Sequence, residues 1–166
     1  MKKNNVKILC LSAVFTAVIY VFTAYLHIPS HTGYTHVVDG FIYLSACLLP
    51  LPYAVLASSA GAFLAASLSG FLMWAPASVV IKGLTVLLFS SKSAKIVTKR
   101  NLFALLPAAI ICCAGYYVYE AVIFSNFIAA AAGIIGYIMQ SVLSSVLFLT
   151  LGISLDKMNF KKRLGE

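Results

Sequence analysis

Long apolar runs are the feature that most constrains how this chain folds. Residues 8–26, 102–124 and 129–155 are almost entirely apolar, and each run is long enough to cross a hydrocarbon core, which takes about 20 apolar residues in a helix. Only 10% of the 166 residues are charged, whereas a soluble domain carries about 25%. The sequence therefore predicts an all-α integral membrane protein, whose short polar connections leave no room for a separate soluble domain.

The basic residues are grouped in a way that predicts the orientation of the helices. Apart from Lys82, the 12 Lys and Arg residues fall within 2–7, 92–100 and 157–163, and none occurs in the predicted outer connections 27–38, 70–75 and 125–127. Basic clusters mark the cytoplasmic side and can contact anionic lipid head groups, so this placement argues against nucleic-acid binding. We predict one membrane domain over 1–166 with both termini in the cytoplasm and six transmembrane helices at about 8–26, 37–49, 53–69, 76–89, 102–124 and 128–155.

Lys82 is the one basic residue that lies inside an apolar segment. It stands in the stretch WAPASVVIKG, between valines and isoleucine on one side and leucines on the other. An ionisable group at the centre of a membrane helix costs roughly 2.5–3.5 kcal/mol on insertion scales, which marks it as a functional site by default. The alternative is a lysine whose head group reaches water at the interface. However, Lys82 lies roughly a dozen ångströms inside a helix that starts near Trp74.

Further polar and aromatic side chains occur at depths from which Lys82 is within reach. Asp39 and Glu120 are the carboxylates among them, and Tyr116 shares a helical face with Glu120 because four residues separate them. Rings, amides and charges that converge from several helices are typical of a pocket for a small, flat, polar molecule. The predicted substrate-binding residues are Lys82, Asp39, Glu120, His36, Tyr116, Trp74, Gln140 and Asn126. A buried Lys–carboxylate pair that only fixes helix packing is the alternative interpretation.

Small residues recur at four-residue spacing on two of the predicted helices. The third helix carries a ladder of Ala57, Gly61, Ala65 and Ser69, and the first carries Ala13 and Ala17. Small residues at this spacing let helices approach closely in a bilayer, where apolarity alone drives no association. We interpret the ladder as internal packing. The face with Ala13 and Ala17 has two interpretations, which are internal packing and the docking of another subunit.

Common motifs for catalysis and metal binding are absent from the sequence. There is no phosphate-binding Gly-x-x-x-x-Gly-Lys-Ser/Thr loop, no His-Glu-x-x-His zinc motif and no Gly-x-Ser-x-Gly element. We therefore expect no enzyme activity, no ATP hydrolysis by this chain and no cofactor. The histidines His27, His31 and His36 are spaced four and five residues apart, but a proline and a glycine intervene and no further ligand is nearby, so we expect no metal site.

Several features together resemble a known family. They are the chain length, the six predicted spans, the Ala13–Ala17 face, the outer connection that leads into THVVDGFIYLSACLLP, and WAPASVVIKGL after the third span. Over nearly its whole length the chain resembles the substrate-binding S component of an energy-coupling factor (ECF) vitamin transporter. Within that family it is most similar to the branch for riboflavin, pyridoxine and hydroxymethylpyrimidine.

The resemblance implies a high-affinity binding subunit in the bacterial cytoplasmic membrane for a water-soluble vitamin or cofactor precursor. Uptake would be driven by two separate cytoplasmic ATPases through a transmembrane coupling subunit, which in the family contacts the face that corresponds to Ala13 and Ala17. The connection 27–38 would close over the ligand, and the whole subunit would topple in the membrane to release it. The substrate stays open between a pyridine, a pyrimidine, a flavin-sized ring and a deazapurine precursor.

Two other function classes are alternatives to a transport subunit. A structural or assembly membrane protein with an internal Lys–carboxylate pair would bind no small molecule and would lose its fold when Lys82 is changed. An intramembrane hydrolase would require a serine and a histidine at hydrogen-bonding distance on the outer side.

Overall fold

The computed structural model describes residues 3–29 and 34–165 and is built mainly of helices, as predicted for an all-α membrane protein. A short antiparallel hairpin, in which His27 is the partner of His36, adds a feature that the sequence did not predict. Along the chain the elements are α1 (Lys3–Tyr25), β1 (His27–Pro29), β2 (Tyr34–His36), α2 (Asp39–Leu48), α3 (Leu51–Leu68), a 3-10 turn (Leu72–Trp74), α4 (Ala75–Leu88), α5 (Lys99–Ile123), α6 (Phe127–Ala131), α7 (Ile134–Lys157) and α8 (Phe160–Gly165).

The apolar helices differ in their length relative to a bilayer. Four segments of the described chain are long and apolar enough to cross one, namely Asn5–Tyr25, Leu51–Leu68, Lys99–Ile123 and Phe127–Lys157. The apolar helices Asp39–Leu48 and Leu72–Leu88 are shorter. The 10 residues of α2 extend only about 15 Å, whereas the hydrocarbon core is about 30 Å thick. A helix therefore lies at each of the six predicted positions, and the number of crossings stays a prediction.

The last predicted span is divided into two helices. Asn126 caps α6, because its Oδ1 accepts hydrogen bonds from the backbone N–H groups of Ile128 (3.1 Å) and Ala129 (2.9 Å). The end of α6 is tightened by bonds between residues three apart, from Ala132 N–H and Gly133 N–H. The long helix α7 begins directly after this tight turn. The predicted span 128–155 thus begins with a separate short helix, and the two helices together cover Phe127–Lys157, a segment long and apolar enough to cross a bilayer.

Small residues bring α1 and α3 into close contact. A Cβ atom added to Gly61 would lie 2.7 Å from Cγ2 of Ile19, and the Thr16 hydroxyl donates to the carbonyl oxygen of Ala57 over 3.3 Å. The predicted internal packing of the small-residue ladder is confirmed at Ala57 and Gly61. In contrast, Ala13 and Ala17 lie exposed on another face of α1.

Buried rings and polar anchors organise the end of the bundle that carries the basic clusters. Tyr43 of α2 stacks on Phe89 with ring centroids 4.6 Å apart, and Phe148 of α7 packs edge-on against both rings. The fully buried Asn101 donates to the carbonyl oxygen of Ile96 (2.9 Å). Asp156 accepts bonds from the N–H groups of Ile96 (2.7 Å) and Val97 (2.9 Å). These bonds fix the connection between α4 and α5.

The contact between α1 and α3 gives a first prediction. We expect Gly61→Val to lower the free energy of unfolding by about 1–3 kcal/mol, because the added methyl groups overpack against Ile19. Unfolding by titration with sodium dodecyl sulfate in a mild detergent measures the change. Ala60→Val, which adds volume at an exposed neighbouring position of α3, is the control, and equal stability of the two variants would contradict the prediction.

Candidate functional site

A buried ion pair lies at the centre of the predicted site. Lys82 Nζ is 2.7 Å from Asp39 Oδ1, and the two side chains are only 2% and 3% exposed. Removing either charge from water costs several kcal/mol, which is recovered only when the partners meet at close range and further hydrogen bonds are made. The pair thus explains how α4 tolerates a lysine, and it shows that Lys82 does not reach the interface.

A third helix supports the carboxylate of this pair. Gln140 of α7 donates from Nε2 to Asp39 Oδ2 over 2.8 Å, and the Cys112 thiol of α5 lies 3.8 Å from the same oxygen. Both oxygens of Asp39 are therefore engaged, one with the ammonium and the other with the amide. Side chains from α2, α4, α5 and α7 meet at this point.

Aromatic rings line one side of the ion pair. Lys82 Nζ lies 5.1 Å from the centroid of the Tyr116 ring, within the range of a cation–π interaction. Tyr116 in turn stacks on Tyr137 with centroids 5.3 Å apart and an interplanar angle of 21°. Trp74 packs against Tyr116 at 6.3 Å and against Tyr119 at 5.9 Å. The Ser78 hydroxyl, 3.1 Å from the Tyr116 hydroxyl, fixes the orientation of the central ring.

Glu120 forms a second buried polar group beside the stacked rings. Its side chain is 0% exposed, and Tyr137 donates its hydroxyl to Oε2 over 2.8 Å. The other oxygen, Oε1, has no hydrogen-bond partner within residues 3–29 and 34–165. A buried carboxyl oxygen without a partner is costly and uncommon, so Oε1 is an available acceptor in the site.

The structure brings most of the predicted site residues together and separates one. Lys82, Asp39, Gln140, Tyr116 and Trp74 form the contacts described above, and Glu120 joins them through Tyr137. His36 is buried at the end of β2, within electrostatic range of Asp39. Asn126 stands apart from this cluster, because its side chain is exposed and caps α6.

Tyr137, Cys112 and Ser78 belong to the cluster and were not predicted. Each stands three or four residues from a predicted residue on the same helix: Tyr137 from Gln140, Cys112 from Tyr116, and Ser78 from Lys82. Residues at this spacing share a helical face. Extending the predicted set by one helical turn would therefore have found all three.

The loop histidines have no described metal site. Within the part of the chain that the structure describes, no three His, Cys, Asp or Glu side chains come together in a way that could hold a metal ion. Residues 30–33, which include His31 and belong to the predicted gating connection, lie outside the described residues.

Residues 3–157 match the model of the family described as "ECF-type riboflavin transporter, S component". No curated protein matches the chain.

The ion pair gives a prediction for stability. We expect Lys82→Met to lower the free energy of unfolding by about 3–5 kcal/mol, because it leaves the Asp39 carboxylate buried without its cation. The double variant Lys82→Met, Asp39→Leu should recover most of this loss, since it removes both charges. Detergent unfolding titrations of the three proteins measure the effect.

Lys95→Met serves as the control, since this lysine is exposed. A double variant that is as unstable as Lys82→Met alone would show that the two charges do not stabilise each other.

Proposed function

Because the chain belongs to the S-component family of ECF-type riboflavin transporters, we propose that it binds a water-soluble, planar heteroaromatic vitamin or vitamin precursor between α2, α4, α5 and α7. Members of this family are substrate-binding membrane subunits of ECF transporters and are transport subunits rather than enzymes. The chain is accordingly a multi-pass membrane protein. The observation that carries the proposal is the buried ion pair of Lys82 and Asp39 beside the stacked rings of Tyr116 and Tyr137.

The chemistry of the cluster suits a flat molecule with polar edges. A planar ring can stack on Tyr116 or Tyr137 with the geometry that these two rings already adopt with each other, which adds about 0.5–1.5 kcal/mol to the burial of its area. A lysine provides three donors, and the ion pair with Asp39 occupies one of them. The ligand would therefore present an acceptor, such as a ring nitrogen or a carbonyl or hydroxyl oxygen, to Lys82.

Glu120 adds the opposite requirement. Its Oε1 is a buried acceptor, so a ligand that carries an N–H or O–H group on a second edge would satisfy it. A molecule lacking that donor would leave the acceptor unpaired, and such a mismatch costs about 1–3 kcal/mol. Together Lys82 and Glu120 select for a ring with an acceptor and a donor on different edges. Pyridines, pyrimidines and flavins that carry hydroxyl, amino or ring N–H groups meet this description.

The positions of the cluster and of the basic residues support entry from outside the cell. The cluster uses the first halves of α2 and α7, the second half of α5, and α4 from Trp74 to its middle at Lys82. In contrast, Lys7, Lys92 and Lys161 lie together at the other end of the bundle. Basic residues favour the cytoplasmic side, so the cluster lies toward the outer face of a bacterial cytoplasmic membrane. We propose that the connection 27–38, which leads in sequence directly into Asp39, covers the bound ligand.

The exposed face of α1 is the proposed docking surface for the transmembrane coupling subunit. Ala13 and Ala17 are exposed, while Ile19 on another face of the same helix is fully buried against α3. Their exposure favours docking of another subunit over internal packing. Two cytoplasmic ATPases would act through the coupling subunit to energise uptake.

The first test of this function separates binding from folding. We expect the wild-type chain, purified from cells grown in rich medium, to carry one small molecule per chain in native mass spectrometry. The double variant Lys82→Met, Asp39→Leu, which we expect to fold, should carry none. Titration with riboflavin, pyridoxine and hydroxymethylpyrimidine, followed by the fluorescence of the single tryptophan Trp74, should show an affinity loss of at least about thirtyfold, the equivalent of ~2 kcal/mol.

Lys95→Met should bind like the wild type. Full affinity in the double variant would remove the ion pair from the binding site. If neither the wild type nor Lys95→Met yields a ligand or responds to these vitamins, the result would count against the function itself.

The second test concerns the docking surface. We expect Ala13→Trp to leave ligand affinity within about twofold of the wild type and to abolish uptake by cells that contain the complete transporter, because a bulky ring prevents the close helix approach that small residues permit. Ala131→Trp, at an exposed alanine of α6, is the control and should transport normally. Normal uptake by Ala13→Trp would contradict the assignment of this face.

A further inference from the structure

A cavity of about 440 Å³ lies at the end of the bundle opposite the ion pair. It is formed where α1, the turn between α2 and α3, the connection between α4 and α5, and α8 meet. Its polar lining comes from Lys7, Ser91, Lys92 and Lys161, and its apolar walls include Ile8, Leu11, Leu48 and Leu49. The volume lies in the range of sites for small ligands, about 300–1,000 Å³. Three cations from three separate segments thus surround one apolar-walled cavity.

Lys161 is the residue of this cavity that most requires a partner. Its Nζ is buried, and within the described residues it has no hydrogen-bond partner. Burial lowers the pKa of Lys161, because taking an ammonium out of water disfavours the charged form. Lys7 and Lys92 are exposed at the rim and add positive charge without supplying an acceptor.

The described acidic residues compensate these charges only in part, because Asp156 attracts the ammonium of Lys161 without bonding to it. The sequence contains four Asp and Glu residues, and no described carboxylate lines the cavity. Asp39 pairs with Lys82, Glu120 bonds to Tyr137, and Asp156 accepts from two backbone N–H groups of the connection between α4 and α5. The fourth residue, Glu166, lies outside the described residues. The cavity therefore has an excess of positive charge that an external anion would neutralise.

We propose that this cavity binds the phosphate of an anionic phospholipid, with Lys161 as the buried contact and with Lys7 and Lys92 at its rim. The apolar walls distinguish this ligand from free phosphate, because they offer burial to the first methylene groups of acyl chains and nothing to an inorganic ion. The positive-inside rule puts this end of the bundle at the cytoplasmic leaflet, where anionic lipids attract basic residues by about 1 kcal/mol for each Lys or Arg. The proposal is independent of the vitamin site.

The order of the surrounding segments supports a built site rather than a chance cluster. Asn101 and Asp156 hold the connection that carries Ser91 and Lys92, so part of the lining is in place before a ligand arrives. Preorganisation of this kind reduces the entropy that binding must overcome. Exposed lysines elsewhere, such as Lys162 in the same short helix, do not line the cavity.

The test compares Lys161 with its neighbour Lys162 in delipidated full-length protein. The probes are short-chain phosphatidylglycerol, the matching phosphatidylcholine and inorganic phosphate, and the readouts are native mass spectrometry and thermal unfolding. We expect phosphatidylglycerol to bind the wild type, and Lys161→Gln to weaken this binding about fivefold, the equivalent of ~1 kcal/mol. Lys162→Gln should bind like the wild type, and Lys161→Arg should retain binding because it keeps the charge.

Three outcomes would overturn the proposal. One is equal weakening by Lys161→Gln and Lys162→Gln, which would indicate only general surface attraction. Another is equal binding of phosphatidylcholine, which would show that the anionic head group is not recognised. The third is inorganic phosphate binding as tightly as phosphatidylglycerol, which would make the site one for a free anion. The thermal unfolding midpoint without lipid shows whether Lys161→Gln is folded, so that lost binding is not mistaken for lost structure.

Discussion

The arrangement of α2, α4, α5 and α7 depends on the ion pair between Lys82 and Asp39. Neither charge is stable alone in an apolar interior, and at 2.7 Å each supplies what the other lacks. The pair holds α2 against α4, Gln140 adds α7 by bonding to the second carboxylate oxygen, and the Tyr116 ring of α5 faces the ammonium. One polar contact thus joins side chains of four helices, in a bilayer where apolarity alone drives no association between them.

A glycine next to the pair makes this geometry possible. Gly40 follows Asp39 at the start of α2, and a Cβ atom there would lie 2.7 Å from the backbone oxygen of Ser144 in α7. Any larger residue would push α2 away from α7, and the 2.8 Å bond between Gln140 and Asp39 would lengthen with it. The dipeptide Asp39–Gly40 therefore combines the charge of the site with the close helix approach that the charge requires.

The sequence predicts how far along a membrane helix a residue lies better than it predicts the side of the helix to which its side chain points. Ionisable and amide side chains are so rare in apolar helices that Lys82, Asp39 and Gln140 stand out without a structure, and all three meet. The position along the helix did not decide whether Asp39 or Glu120 pairs with Lys82. That choice depends on how each helix is rotated about its axis, and the packing of the helices sets this rotation.

Asn126 was misjudged for a different reason. A polar residue just before a helix can accept hydrogen bonds from the helix's own first N–H groups, so it need not point into a shared site. The hairpin between α1 and α2 was missed because three-residue strands leave too short a pattern to recognise.

The two ends of the bundle differ in how their buried charges are compensated, and the difference bears on transport. At the end remote from the basic clusters, Lys82 and Asp39 neutralise each other, so the pair can exist in a medium of low dielectric constant without an ion from solution. If the proposed function is right, a vitamin that enters this site would have to compensate both partners as it displaces part of their contact, because a ligand that satisfies only one would leave the other buried and unpaired. The cost of an incomplete match is the basis of selectivity in such a site. At the basic end, the Nζ of Lys161 has no hydrogen-bond partner within the described residues, and we propose that anionic lipid supplies one. The neutral ion pair at one end would let the subunit hold its substrate tightly. The cation at the other end would keep that end in contact with anionic lipid.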